Sequence, residues 1–219
     1  MKYFGGCDVG STYTKTVILD ENGAIVAANT IKSKINSAQS AKAGLDQAIA
    51  DAGLQEISDL TYLIGTGYGR NKVPQADENI SEISCHAMGV HVTDPSVRAI
   101  IDIGGQDVKG IAVDTDGTVK TFAMNDKCAA GTGRFFESMA NAFEMSLEEF
   151  SKLSLTAENV IPITAQCTVF AESEVITLVG EGKPQNEIAA GIQQAVAKRC
   201  FVMAKKAGAK DAITLTGGC

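Results

Sequence analysis

Six cysteines stand at positions 7, 85, 128, 167, 200 and 219, yet no two of them form a C-x-x-C pair. A zinc ribbon and a ferredoxin-type run of ligands are therefore excluded. The phosphate loop G-x-x-x-x-G-K-[ST] is missing as well, which rules out the P-loop way of holding a nucleotide. Lysine and arginine number 19 against 26 aspartates and glutamates, a net charge of -7. They form no cluster, so neither nucleic acid nor an anionic membrane is an expected partner. No segment approaches the ~20 apolar residues of a membrane span, and the opening MKYFGGCDVG lacks an apolar stretch of signal-peptide length. The cytoplasm is the expected location, and its reducing conditions argue against a disulfide framework.

What the chain does have is an internal repeat. DVGSTYTKTVILDENG (8 to 23) and DIGGQDVKGIAVDTDG (102 to 117) align without a gap at an offset of 94. The alignment sets Asp8 on Asp102, Gly10 on Gly104, Lys15 on Lys109, Asp20 on Asp114 and Gly23 on Gly117. In each copy an apolar strand enters an Asp-x-Gly turn. A second alternating strand follows, carrying Val17 and Leu19 or Ile111 and Val113, and then a turn at 21–23 or 115–117. The chain of 219 residues reads as α/β with two small lobes, since single cores usually hold ~100–150 residues. The lobes are expected at 1–95 and 96–219.

Paired Asp-x-Gly turns suit a nucleotide phosphate approached from two loops. Glycines Gly10, Gly104 and Gly105 let backbone N–H groups come close, Ser11, Thr12 and Lys15 add donors, and Asp8 and Asp102 can hold Mg2+ through its waters. Tight-turn chemistry is the alternative for a single copy; two copies in register favour the nucleotide. GTGYGR (65–70) reads as a strand-to-helix turn. Near the end, AITLT (212–216) reads as a strand leading into Thr216-Gly217-Gly218, a backbone suited to lie flat against adenine or ribose. Phosphate turn, phosphate turn and adenosine turn, in that order, resemble the actin, hexokinase and Hsp70-chaperone ATPases. The resemblance implies two ribonuclease-H-like lobes, with Asp102 or Gln106 orienting the attacking water.

Two cysteines stand at suggestive places. Cys128 precedes Ala129-Ala130-Gly131-Thr132-Gly133 and then Phe135, Phe136, Met139, Ala140 and Phe143, an apolar face at helical spacing. That spacing predicts a thiol just before a helix N-terminus, where free N–H groups lower its pKa. Strand-like Val160–Thr164 leads to Cys167, and TVFAESEVITLV after it reads as a helix. Two thiolates are too few for a cluster in one chain but suffice if a twofold axis brings four together. An inert packed thiol is the alternative. Cys200 falls on the Ile188, Ile192, Val196, Met203 stripe of a helix opened by Pro184 and is expected in the core, as are Cys7 and Cys85.

IDIGGQDVK, NDKCAAGTGRF and CTVFAESEV, together with TGYGR and SEISCHA, are similar to the ATP-dependent activators of 2-hydroxyacyl-CoA dehydratases and the ATPase subunits of benzoyl-CoA reductase. The resemblance implies a homodimer whose Cys128 and Cys167 hold one 4Fe-4S cluster across the twofold axis. It implies turnover of ATP to ADP that drives a low-potential electron to a dehydratase or related acyl-CoA enzyme, with ferredoxin or flavodoxin as donor. It further implies a chain continuing past the Gly217-Gly218 turn to complete the adenosine pocket. A small-molecule kinase and a nucleotide-sensing module of the same superfamily are the rival readings.

Overall fold

The computed structural model describes residues 1–125, 128–164, 167–209 and 212–218. Asp126 and Lys127 of the NDKCAAGTGRF motif, and Cys219, lie outside the described residues. Two compact units divide the chain, Met1–Gly89 and Val90–Cys219.

The first unit opens with β1 (Tyr3–Val9), β2 (Tyr13–Asp20) and β3 (Ile25–Lys32), an antiparallel meander. Helix α1 (Ser37–Asp51) follows; Asn36 caps it by accepting from the N–H groups of Ala38 and Gln39 at 3.0 and 3.3 Å. The chain then returns as β4 (Tyr62–Thr66), parallel to β1 on the edge away from β2, and as the two-residue β5 (Glu78–Asn79). The sheet order is β3-β2-β1-β4-β5. Helix α2 (Glu82–Thr93) comes next in the chain.

The second unit repeats the plan with β6 (Ala99–Ile103), β7 (Val108–Val113) and β8 (Val119–Asn125). Four helices intervene, α3 (Gly133–Ala142), α4 (Leu147–Ser154), α5 (Thr168–Gly180) and α6 (Gln185–Lys206). Strand β9 (Ile213–Gly217) then pairs parallel to β6, giving the order β8-β7-β6-β9. The duplication therefore extends past the hairpins: in both units a crossover returns a parallel strand to the free edge of the first.

Burial follows each strand's neighbours. In β2 the core face carries Thr14, Thr16 and Ile18, while Val17 and Leu19 are half-buried. The apolar alternation thus marked the outer face here, because α1 crosses at Gly44, where a Cβ would lie 2.8 Å from the Thr16 hydroxyl. Strand β7 is buried along its whole length. Its Gly110 lies under α6, where a Cβ would come within 2.6 Å of the Met203 carbonyl. On α6 the stripe Ile188, Ile192, Val196 and Cys200 is buried against Phe135, Met139, Phe150 and Val175. Cys7 packs with Val9, Leu45 and Leu63 in the first unit. Among the described residues no helix is long and apolar enough to cross a membrane.

Segment 160–164 is not a strand. Pro162 has no N–H to give a sheet, and the segment lies on α6 instead. Ile161 N–H donates to the Glu187 carbonyl at 3.1 Å, and Gly191 has no side chain to block the Ile161 carbonyl.

Candidate nucleotide and cluster sites

Each unit presents an Asp-x-Gly turn at the end of its first strand, closed in the same way. The Gly10 N–H donates to the Tyr13 carbonyl at 3.1 Å and the Gly104 N–H to the Asp107 carbonyl at 2.9 Å. A Cβ on Gly10 would lie 2.7 Å from that Tyr13 oxygen, and one on Gly104 would strike the Asp107 carboxylate, so both turns require glycine. Ser33 fastens the first turn: its hydroxyl donates to the Gly10 carbonyl at 2.8 Å and its N–H to the Thr12 carbonyl at 2.9 Å. Ser11 is exposed at the tip, as Gln106 is in the second turn.

The two aspartates differ in surroundings. Asp8 is half-buried and pairs through Oδ2 with the exposed Lys15 at 2.9 Å. Asp102 is 2% exposed. Its Oδ2 lies 3.3 Å from Lys109 Nζ, and its Oδ1 accepts from the Thr216 hydroxyl at 3.0 Å. Lys109 reaches Asp107 as well, at 2.6 Å. Burial alone pulls the Lys109 ammonium down, but the Asp107 and Asp102 carboxylates outweigh it and hold the lysine above its ordinary value. Sequence reasoning omitted Lys109 and Asp107 from the site and placed Thr216 only in the adenosine-type turn, not on Asp102. The repeat, which sets Lys109 on Lys15, carried the signal for the first of them.

The Thr216-Gly217-Gly218 turn joins the second Asp-x-Gly turn directly. Gly217 has φ +107°, and a Cβ on it would collide with the Ile103 backbone. The Gly218 N–H donates to the Ile103 carbonyl at 3.3 Å. Strand β9 thus brings Thr216, Gly217 and Gly218 alongside Asp102 and Gly104. In the first unit, the stretch after β4 ends in a short 3-10 turn, Arg70–Lys72, in place of the expected helix.

Cys128 and Cys167 are both exposed free thiols, whereas Cys7 and Cys200 are buried and Cys85 is half-buried. Burial pushes the Cys7 thiol up to about 11 and raises Cys200 too, so both stay protonated and poor as ligands. Cys167 is the residue on which α5 begins, and its sulfur makes no cap hydrogen bond. Cys128 is less close to a helix end than its sequence context predicts. Thr132 occupies the start of α3, and the first amides of that helix are spent elsewhere: Gly133 and Arg134 donate to the Gly104 and Gly105 carbonyls, both at 3.0 Å. The Cys128 loop is held instead by Asn125, whose Nδ2 donates to the Cys128 carbonyl at 3.1 Å, and by the Thr132 hydroxyl on the Ala129 carbonyl at 2.7 Å.

Helices α3 and α5 pack on each other, with the Ser138 hydroxyl 3.2 Å from the Glu172 carboxylate. Among the described residues no three His, Cys, Asp or Glu side chains come together as a metal site. One chain thus offers two exposed thiols, one in the loop ahead of α3 and one at the start of α5, a donor set that fits half of a four-thiolate cluster.

A repeated meander with a returning parallel strand, and a glycine turn beside an aspartate in each unit, define an ATPase of the actin, hexokinase and Hsp70-chaperone fold. Within that class the chain belongs to the BadF/BadG/BcrA/BcrD ATPase family, whose model matches residues 6–219. It is 46% identical over 216 residues to the activator of lactoyl-CoA dehydratase from Anaerotignum propionicum, covering 99% of this chain and 83% of that protein. Component A of (R)-2-hydroxyglutaryl-CoA dehydratase from Acidaminococcus fermentans matches in structure with a TM-score of 0.92 at 41% identity, covering 100% of this chain and 83% of that one. The activator of the 2-hydroxyisocaproyl-CoA dehydratase from Clostridium difficile, solved with bound ADPNP, gives 0.90 at 42% identity, covering 99% and 80%.

Proposed function

We propose that this ATPase activates a 2-hydroxyacyl-CoA dehydratase or a related acyl-CoA enzyme, with Cys128 and Cys167 from each of two copies holding one 4Fe-4S cluster. When bound, such a cluster stores a single electron and passes it on; ferredoxin or flavodoxin is the proposed source. The names of the relatives support the dehydratase as partner. The homodimer is supported by apolar side chains left exposed beside Cys167, with Val169 67% and Phe170 70% exposed on the first turn of α5.

In this reading Asp8 and Asp102 orient the waters of Mg2+, and the N–H groups of the two turns, with Ser11, Thr12 and Lys15, meet the phosphates. The tips of the turns carry the solvent-facing groups. Asp102 has both oxygens engaged by Lys109 and Thr216, so the exposed Gln106 is the better candidate to orient the attacking water. Gly217 and Gly218 would lie against adenosine. Positioning and electrostatics, rather than covalent chemistry, would carry phosphoryl transfer.

The observation that carries the coupling is the pair of hydrogen bonds from Gly133 and Arg134 to Gly104 and Gly105. A shift of the second phosphate turn on hydrolysis would pull on the helix that follows the Cys128 loop. Protein purified without oxygen should be brown, bleach in air and reduce its dehydratase only with Mg·ATP. A colourless, iron-free protein that phosphorylates a small molecule would replace this reading with the kinase one.

A further inference from the structure

Both nucleotide turns rest on the same three-residue cross-section. An aspartate at the end of the first strand faces a lysine on its antiparallel neighbour and a threonine on its parallel neighbour. The sets are Lys15, Asp8 and Thr66 in the first unit, and Lys109, Asp102 and Thr216 in the second. Residues opposite one another in register leave the same face of the sheet.

The two sets are bonded differently. In the second unit the aspartate is held from both sides, by Lys109 at 3.3 Å and by the Thr216 hydroxyl at 3.0 Å. In the first, Lys15 bonds Asp8 at 2.9 Å, but Thr66, only 9% exposed, keeps a buried hydroxyl without a hydrogen-bond partner. Native proteins retain few such groups, and each calls for a reason. Thr66 is not on a slack loop. The Gly69 N–H donates to the Val9 carbonyl at 2.9 Å, and Arg70 ties the Gly67 carbonyl to Glu82 at 3.0 and 3.3 Å. Gly67, with φ +84°, lies so close to Asp8 that a Cβ on it would strike Oδ1.

We propose that Thr66 is a positioning residue for Mg·ATP: its hydroxyl donates to the Asp8 carboxylate when that carboxylate takes up the hydrated cation, as the Thr216 hydroxyl does for Asp102. The donation fixes one oxygen of Asp8, while the other, which Lys15 holds at 2.9 Å, has a second lone pair for the metal's water. This rests on the reading of Asp8 as a Mg2+ residue. Packing alone gives no reason for a hydroxyl at position 66. A valine has the same shape and would remove a buried polar atom, so a purely structural role predicts that Thr66→Val is harmless in every respect.

The test compares iron-loaded, full-length protein as wild type, Thr66→Val, Thr66→Ser and Asp8→Asn, measuring ATP turnover across a Mg2+ titration together with the thermal midpoint. Thr66→Val should keep or raise the midpoint, yet need about tenfold more Mg2+ or lose about tenfold in turnover, the usual effect of one hydrogen bond to a charged group. Thr66→Ser should recover most of that loss. If Thr66→Val matches wild type in both quantities while Asp8→Asn is inactive, Thr66 is packing only and the reading of Asp8 stands. Equal damage from Ser and Val would assign the effect to shape and overturn the proposal. A fully active Asp8→Asn would remove the reading beneath it.

Discussion

Gly133 donates its backbone N–H to the carbonyl of Gly104 at 3.0 Å, and Arg134 repeats the contact on Gly105 at the same distance. The first turn of α3 is thereby bolted to the second Asp-x-Gly turn, and the loop carrying Cys128 is the segment just ahead of that bolt.

Gly133→Pro should remove one of the two hydrogen bonds of this link and leave the Arg134 bond to Gly105. Position 133 is the first helical residue of α3, where proline is tolerated. Thr132 already has extended backbone angles, φ -107° and ψ 173°, which suit a residue before proline. The wild-type holoprotein should lose iron to a chelator at rates that differ by about fivefold or more between ADP and a non-hydrolysable ATP analogue. In Gly133→Pro the two rates should draw closer together while ATP turnover persists. Equal rates in the wild type would leave hydrolysis and cluster without communication.

Asp8→Asn and Asp102→Asn should both abolish hydrolysis while leaving the iron chromophore, but they should differ in stability. The Asp8 pair is exposed, with Lys15 at 55%, and is worth at most about 1 kcal/mol. The side chains of Asp102 and Lys109 are 3% and 4% exposed, and removing one charge of a buried pair costs about 3 kcal/mol. Denaturant unfolding of the three proteins measures the difference. Equal stabilities would mean that Asp107 alone satisfies Lys109.

Thiol reactivity should sort the cysteines into two groups. In iron-stripped protein, iodoacetamide at about pH 8 should modify the exposed Cys128 and Cys167 quickly and the buried Cys7 and Cys200 slowly. Reconstitution with iron and sulfide should protect the first pair. Cys128→Ser and Cys167→Ser should each lose iron and visible absorbance, and Cys200→Ser should keep both. Iron retained in Cys128→Ser would overturn the ligand assignment.

Stability should fall on the alkaline side. Burial is the main cause that lifts Cys7 from 9.0 to about 11, so between these values the native protein keeps a proton that the unfolded chain gives up. Its contribution is full below about pH 9 and lost as pH rises to about 11, roughly 2–3 kcal/mol at about 1.4 kcal/mol per unit. Lys109, also raised, adds a loss of the same sign at higher pH. Denaturant midpoints at several pH values would check this, and Cys7→Ala should flatten the first part of the slope whatever it costs at neutral pH.

The sequence by itself determined what is local. Both Asp-x-Gly turns, the hairpins around them and helix α5 after Cys167 are written in adjacent residues, because a turn's glycine and a helix's apolar spacing act over a few positions. The aligned Asp and Lys of the repeat do become cross-strand partners, since register in a tight hairpin follows from the turn. Only the tertiary structure decided the rest. Thr216 reaches Asp102 across 114 positions of chain, by a parallel strand whose register no local pattern fixes. Segment 160–164 looked like a strand by composition, yet it lies on α6 because Gly191 admits its backbone there. The amides expected to face Cys128 are turned to Gly104 and Gly105, because a helix terminus bonds whichever carbonyls packing brings to it, and packing is settled far along the chain.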